Sequence, residues 1–70
     1  MPDKTSKLIA QRLKQVRLQK GLTQVELALR AGINDNYYAK IERNNLKPSV
    51  ETLEKIVKAL GVKSSEIFPF

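Results

Sequence analysis

The sequence predicts an all-α domain. Three observations carry this: apolar residues recur at three- and four-residue steps, Gly21, Gly32, Pro48 and Gly61 cut the chain into helix-length segments, and good capping residues head several of those segments. In the first segment, residues 6–20, Ile9, Leu13 and Val16 follow an i, i+4, i+7 pattern, while Arg12, Lys14 and Lys20 lie mainly off that stripe. Gly21 then suits a left-handed C-terminal cap. Thr23 is a good N-cap for the second helix. Glu26, three residues on, completes a capping box in which hydroxyl and carboxylate each satisfy a backbone N–H the helix leaves unpaired. This helix is expected to run to about Ala31. Gly32–Ile33–Asn34 reads as a short turn, with glycine at positive φ and Asn34 accepting from the first amides of a third helix over residues 35–44. Pro48 and Ser49 open a fourth helix, whose apolar stripe is Val50, Leu53, Ile56, Val57 and Leu60 and whose stop is Gly61. Ser64 is expected to cap a last brief turn that tucks Ile67 and Phe68 underneath.

Composition bounds what such a domain can do. Seventy residues make one domain, 1–70, with no linker or internal repeat, burying only about 60% of the surface its unfolded chain exposes. With no cysteine and no histidine, disulfides, thiolate metal sites and the commonest metal ligand and acid–base catalyst are excluded. No cofactor or metal is expected, and no carboxylate pair is spaced for acid–base work, so the chain does not read as an enzyme. The longest apolar runs are a few residues and the first four residues lack a secretory signal, so the expectation is a cytoplasmic chain without a membrane partner. No small-molecule ligand is evident. Thirteen Lys and Arg against seven Asp and Glu give a formal charge of +6, which favours a polyanionic partner. Charge alone fits nucleic acid, an anionic membrane or an acidic protein equally.

The spacing of Leu22–Thr23–Gln24–Val25–Glu26–Leu27–Ala28, Ala31–Gly32–Ile33, Tyr38 and Ile41–Glu42–Arg43 fits two helices packed about a tight turn. Ala28 and Gly32 are small where two helices cross closely, and Tyr38 and Ile41, three apart, give the third helix an inward face. Together with Pro48–Ser49, Thr52–Leu53, Ile56, Ala59–Leu60–Gly61–Val62 and Glu66–Ile67–Phe68, these residues resemble the lambda-repressor-like helix-turn-helix family of phage repressors, Cro proteins and small bacterial regulators. The resemblance covers residues 13–68. It implies a bundle of five short helices in which the second and third form the DNA-binding motif and the third enters the major groove. The compact form, Tyr37 and the Ile41–Glu42–Arg43–Asn44 run are similar to the controller proteins of restriction-modification operons.

What the resemblance implies about individual residues follows from that placement. With Tyr38 and Ile41 inward, Asp35, Asn36 and Lys40 face the groove; Asn pairs with adenine N6 and N7 and Lys donates to guanine O6 and N7, each worth about 1–3 kcal/mol of discrimination. Asp35 departs from the family, where glutamine is frequent, and has two readings: acceptor from cytosine N4, or an acid stabilised at the positive end of the helix dipole. Gln24, at the start of the second helix, is the leading phosphate contact, with Tyr37, Arg43, Asn44 and Lys47 flanking the reading helix. Tyr37 reads alternatively as a half-buried packing residue. Arg17 and Glu42 match a family ion pair whose role is structural. Relatives of this size bind double-stranded DNA as homodimers on pseudo-palindromic sites, and here Phe68 and Phe70 are the expected anchors of the two-fold contact.

A different class of function stays open, a helical protein-interaction module. Leu18, Val25 and Leu29 are apolar where relatives are commonly polar. They are expected as extra core filled in by the first helix, the alternative being a patch for a protein partner.

Overall fold

A computed structural model describes residues 4–69. Among these, four α-helices form: α1 (Lys4–Gln19), α2 (Gln24–Ala31), α3 (Asp35–Glu42) and α4 (Val50–Leu60). The expected fifth helix is a single 3-10 turn, Ser64–Glu66. Its cap is also not Ser64 as expected: Lys63 precedes the turn, and the Glu66 carboxylate accepts from the Lys63 N–H at 3.2 Å. The three-residue turn runs straight into the buried Ile67, which leaves no room for a helix to propagate.

Each segment contributes one fully buried side chain to a single core: Leu13 from α1, Leu27 from α2, Tyr38 from α3, Ile56 from α4, and Ile67 after the last turn. α2 packs against both α3 and α4, and α1 packs against α3. The α1 stripe is as expected, with Leu13 and Val16 buried and Ile9 packed at the core's edge. On α4, Ile56, Val57 and Leu60 are buried and Leu53 is half-buried. Val50, expected in the same stripe, is 72% exposed, because the first helical residue projects past the rim of the core.

The helix ends explain the turns. Thr23 Oγ1 accepts from the Glu26 N–H at 3.0 Å, and Glu26 accepts from the Thr23 N–H at 2.9 Å, closing the expected capping box. Asn34 Oδ1 accepts from the Tyr37 N–H at 3.1 Å at the head of α3. Gly32 has φ 72°, and its N–H together with that of Ile33 returns to the carbonyls of Leu29 and Ala28. A Cβ at Gly32 meets nothing within 4 Å, so this glycine is required by its backbone angle rather than by the close helix crossing the sequence suggested. α3 stops two residues earlier than expected. Asn44 has φ 60°, and the N–H groups of Asn44 and Asn45 bond the carbonyls of Ile41 and Lys40, the same reversal made here with asparagine.

Candidate nucleic-acid interface

α2, a three-residue turn and α3 place two faces back to back. On α3, Tyr38 and Ile41 are 0% and 2% exposed, as the three-residue spacing required. Asp35, Asn36 and Lys40 project to solvent on the other side, and Ala39 is half-buried. The three candidate base-reading residues therefore share one uncovered helix surface, long enough at eight residues for two turns.

Beneath that surface lies a polar hub. Arg17 Nε donates to Glu42 Oε2 at 2.6 Å and Arg17 Nη2 donates to Glu42 Oε1 at 3.2 Å, a bidentate pair whose side chains are only 8% and 2% exposed. Arg17 Nη1 also donates to the Leu22 carbonyl at 2.7 Å, so one guanidinium ties α1 to the α1–α2 turn and to the end of α3. Burial by itself raises the Glu42 pKa. The hydrogen bonds from Arg17 and Gln24 and the adjacent Tyr38 hydroxyl outweigh it, and hold the carboxyl below its ordinary value. The hydrogen bond to Glu42 pushes Arg17 up against the opposing effect of burial. The Tyr38 hydroxyl is buried next to this pair without a hydrogen-bond partner of good geometry, and desolvation, helped by the Glu42 charge, drives its pKa far up.

Gln24, the leading phosphate candidate, is half-buried at the head of α2 and donates from Nε2 to Glu42 Oε1 at 3.1 Å. The sequence did not show this bond. It holds the Gln24 side chain at the first residue of α2, next to the Thr23 cap of that helix start. Tyr37 is half-buried and packs on the core, which favours its structural reading. Arg43 and Lys47 are exposed on the segment after α3. Asn44 is half-buried and its backbone makes the left-handed turn, so a structural duty accounts for the residue type there.

The remaining candidates divide. Phe68 is half-buried against the core, and Phe70 lies outside the described residues. Leu18, Val25 and Leu29 are 57%, 50% and 74% exposed, so they are not the extra core expected of them. α1 packs on α3, and the Val25 and Leu29 side of α2 stays open to solvent. Nor do they form one patch: Val25 and Leu29 line a groove with Asp35, whereas Leu18 lines another on α1 with Arg12 and Gln15. Among the described residues, no helix is long and apolar enough to cross a membrane.

Comparison with known proteins agrees with this geometry. A helix-turn-helix family model matches residues 13–67. The chain is 44% identical over 59 residues to an immunity repressor protein of Bacillus phage phi105, covering 84% of this chain but 41% of that protein. It is 36% identical over 64 residues to the control protein C.BamHI of Bacillus amyloliquefaciens, covering 90% of this chain and 79% of that one. Among solved structures it is similar to the restriction-modification controller protein C.Esp1396I, seen as a tetramer in complex with its natural 35 base-pair operator. The TM-score is 0.87 at 31% identity, with 91% of this chain and 84% of that chain covered. With the family pattern spanning both helices of the motif and the core beneath them, the chain belongs to the helix-turn-helix family.

Proposed function

We infer that this chain is a transcriptional regulator that binds double-stranded DNA sequence-specifically, with α3 in the major groove. The observation that carries the reading is the division of α3: an inner face locked into core and ion pair, and an outer face presenting Asp35, Asn36 and Lys40, on a chain of the helix-turn-helix family. Asn36 and Lys40 supply donors and acceptors suited to adenine and guanine edges, and Asp35 either accepts from cytosine or stabilises the helix head. Gln24 with the head of α2, and Arg43, Asn44 and Lys47 after α3, position the domain on phosphates.

The finer reading is a homodimer on a pseudo-palindromic operator, acting as a restriction-modification controller and regulating its own promoter. The likeness to C.BamHI and to the C.Esp1396I complex supports it. Phe68 and Phe70 are its candidate two-fold contacts. Monomer–dimer mass action makes such a regulator's DNA occupancy steep in concentration. The protein-partner reading keeps one support, the exposed Val25 and Leu29 beside Asp35.

The test is selection of bound duplexes from a random library at about 150 mM salt, where purely electrostatic binding is weakened. An enriched pseudo-palindrome is expected. A folded sample that enriches nothing overturns the reading and moves the weight to a protein partner.

A further inference from the structure

Lys7 and Gln11 lie one turn apart on the exposed side of α1, and they share an open cleft of about 390 Å³ with Arg43, Asn44 and Asn45 of the turn that ends α3. We propose that this cleft seats a phosphate of the DNA backbone and extends the contact track from the head of α2 onto α1. The proposal rests on the DNA-binding reading above and deepens it.

Its chemistry is that of a phosphodiester site. Lys7 and Arg43 bring two cationic side chains, and Gln11, Asn44 and Asn45 bring neutral amide donors. The acid in the lining, Glu42, has a side chain only 2% exposed and paired with the bidentate Arg17, so it contributes little opposing field. No aromatic ring lines the cleft to stack a base, which favours backbone over nucleobase as the occupant.

Its position fits as well. Glu42 holds Gln24 through a 3.1 Å hydrogen bond and also borders the cleft, so cleft and α2 head adjoin one another across a single residue. An eight-residue α3 is about 12 Å long, close to the roughly 12 Å width of the major groove, so seating it there brings the turn after Glu42 to the groove wall where the phosphates run. The backbone of that turn is tied back to α3 by the Asn45 N–H, which donates to the Lys40 carbonyl at 2.9 Å.

The experiment is fluorescence anisotropy on two labelled duplexes, the enriched operator and its scrambled version, titrated across about 50–300 mM KCl. Wild type is compared with Lys7→Ala, Lys7→Arg, Gln11→Ala and a control, Lys55→Ala, on the exposed side of α4. Loss of one phosphate contact should reduce the slope of log affinity against log salt by about 0.9 and weaken binding about fivefold at 150 mM, equally on both duplexes. That is the result expected for Lys7→Ala. Lys7→Arg should restore the slope, Gln11→Ala should weaken binding with the slope unchanged, and Lys55→Ala should match wild type. An unchanged slope in Lys7→Ala, or an equal drop in Lys55→Ala, overturns the cleft and leaves the DNA-binding reading standing. Failure of wild type to bind either duplex overturns that reading itself.

Discussion

α3 carries two faces whose residues answer to different demands. Tyr38, Ile41 and the Glu42 side chain are buried and committed, one to the centre of the core, one to its edge, one to a guanidinium and an amide from two other helices. Asp35, Asn36 and Lys40, interleaved with them in sequence, project to solvent and leave the core untouched. A helix of eight residues can thus hold a fixed orientation while its outer side chains vary, because orientation and recognition draw on different atoms. The two faces should then respond to mutation in separable ways.

The largest effect belongs to the inner face. Arg17→Ala strands a buried carboxylate and should cost about 3–5 kcal/mol of unfolding free energy in urea denaturation, a large part of what a domain this size has. Replacing Arg17 and Glu42 together by apolar residues should cost less than Arg17→Ala alone, since no charge is then left unpaired. Acid should cause the same loss by degrees. The Glu42 carboxyl titrates lower in the folded chain than unfolded, so the unfolded state takes up the proton first. The pair's contribution is whole above the ordinary glutamate value of about 4.3, and falls away as pH drops through the lowered value. Denaturation midpoints measured from neutral pH downward should decline along that limb.

Next come the outer-face changes. Asn36→Ala or Lys40→Ala should cost about 1–3 kcal/mol of discrimination at one base pair, read as a roughly 5- to 150-fold loss of preference in competition binding. Neither should shift the thermal midpoint appreciably. Smaller again is the seam between the faces: Asn44→Ala leaves φ 60° without the short polar side chain that lets asparagine tolerate the left-handed region and should cost about 1 kcal/mol, while Asn44→Gly should avoid that loss. Smallest is Tyr38→Phe, which removes a buried hydroxyl lacking a well-placed partner and should alter stability by less than about 1 kcal/mol. A larger loss there would mean the hydroxyl contributes a bond to the hub.

Much of this division was legible in one dimension because local rules govern it. The caps at Thr23 and Asn34 act within three residues of themselves, and a three-residue step from Tyr38 to Ile41 defines an inner face whatever surrounds it. The Arg17–Glu42 pair, 25 residues apart, came from family resemblance rather than from spacing, and the two side chains meet at 2.6 Å. What spacing could not give was tertiary. Gln24 bonding to Glu42 and Lys7 sharing a cleft with Arg43 depend on how whole helices cross, and so does the exposure of Leu29 and Val50, which no local rule fixes. The overlong third helix and the fifth helix implied by the family resemblance have a shared cause: helix signals do not reveal where a turn left-handed at Asn44, or a core residue at Ile67, stops propagation.

The separation of orientation from recognition is tested most directly by repeating the duplex selection with the Asn36→Ala, Lys40→Ala double variant beside wild type, after matching their thermal melts. An unchanged melt with the operator motif lost or altered at the positions those residues read is the predicted result. The same motif, enriched to the same degree by both proteins, would contradict the assignment of recognition to the outer face of α3.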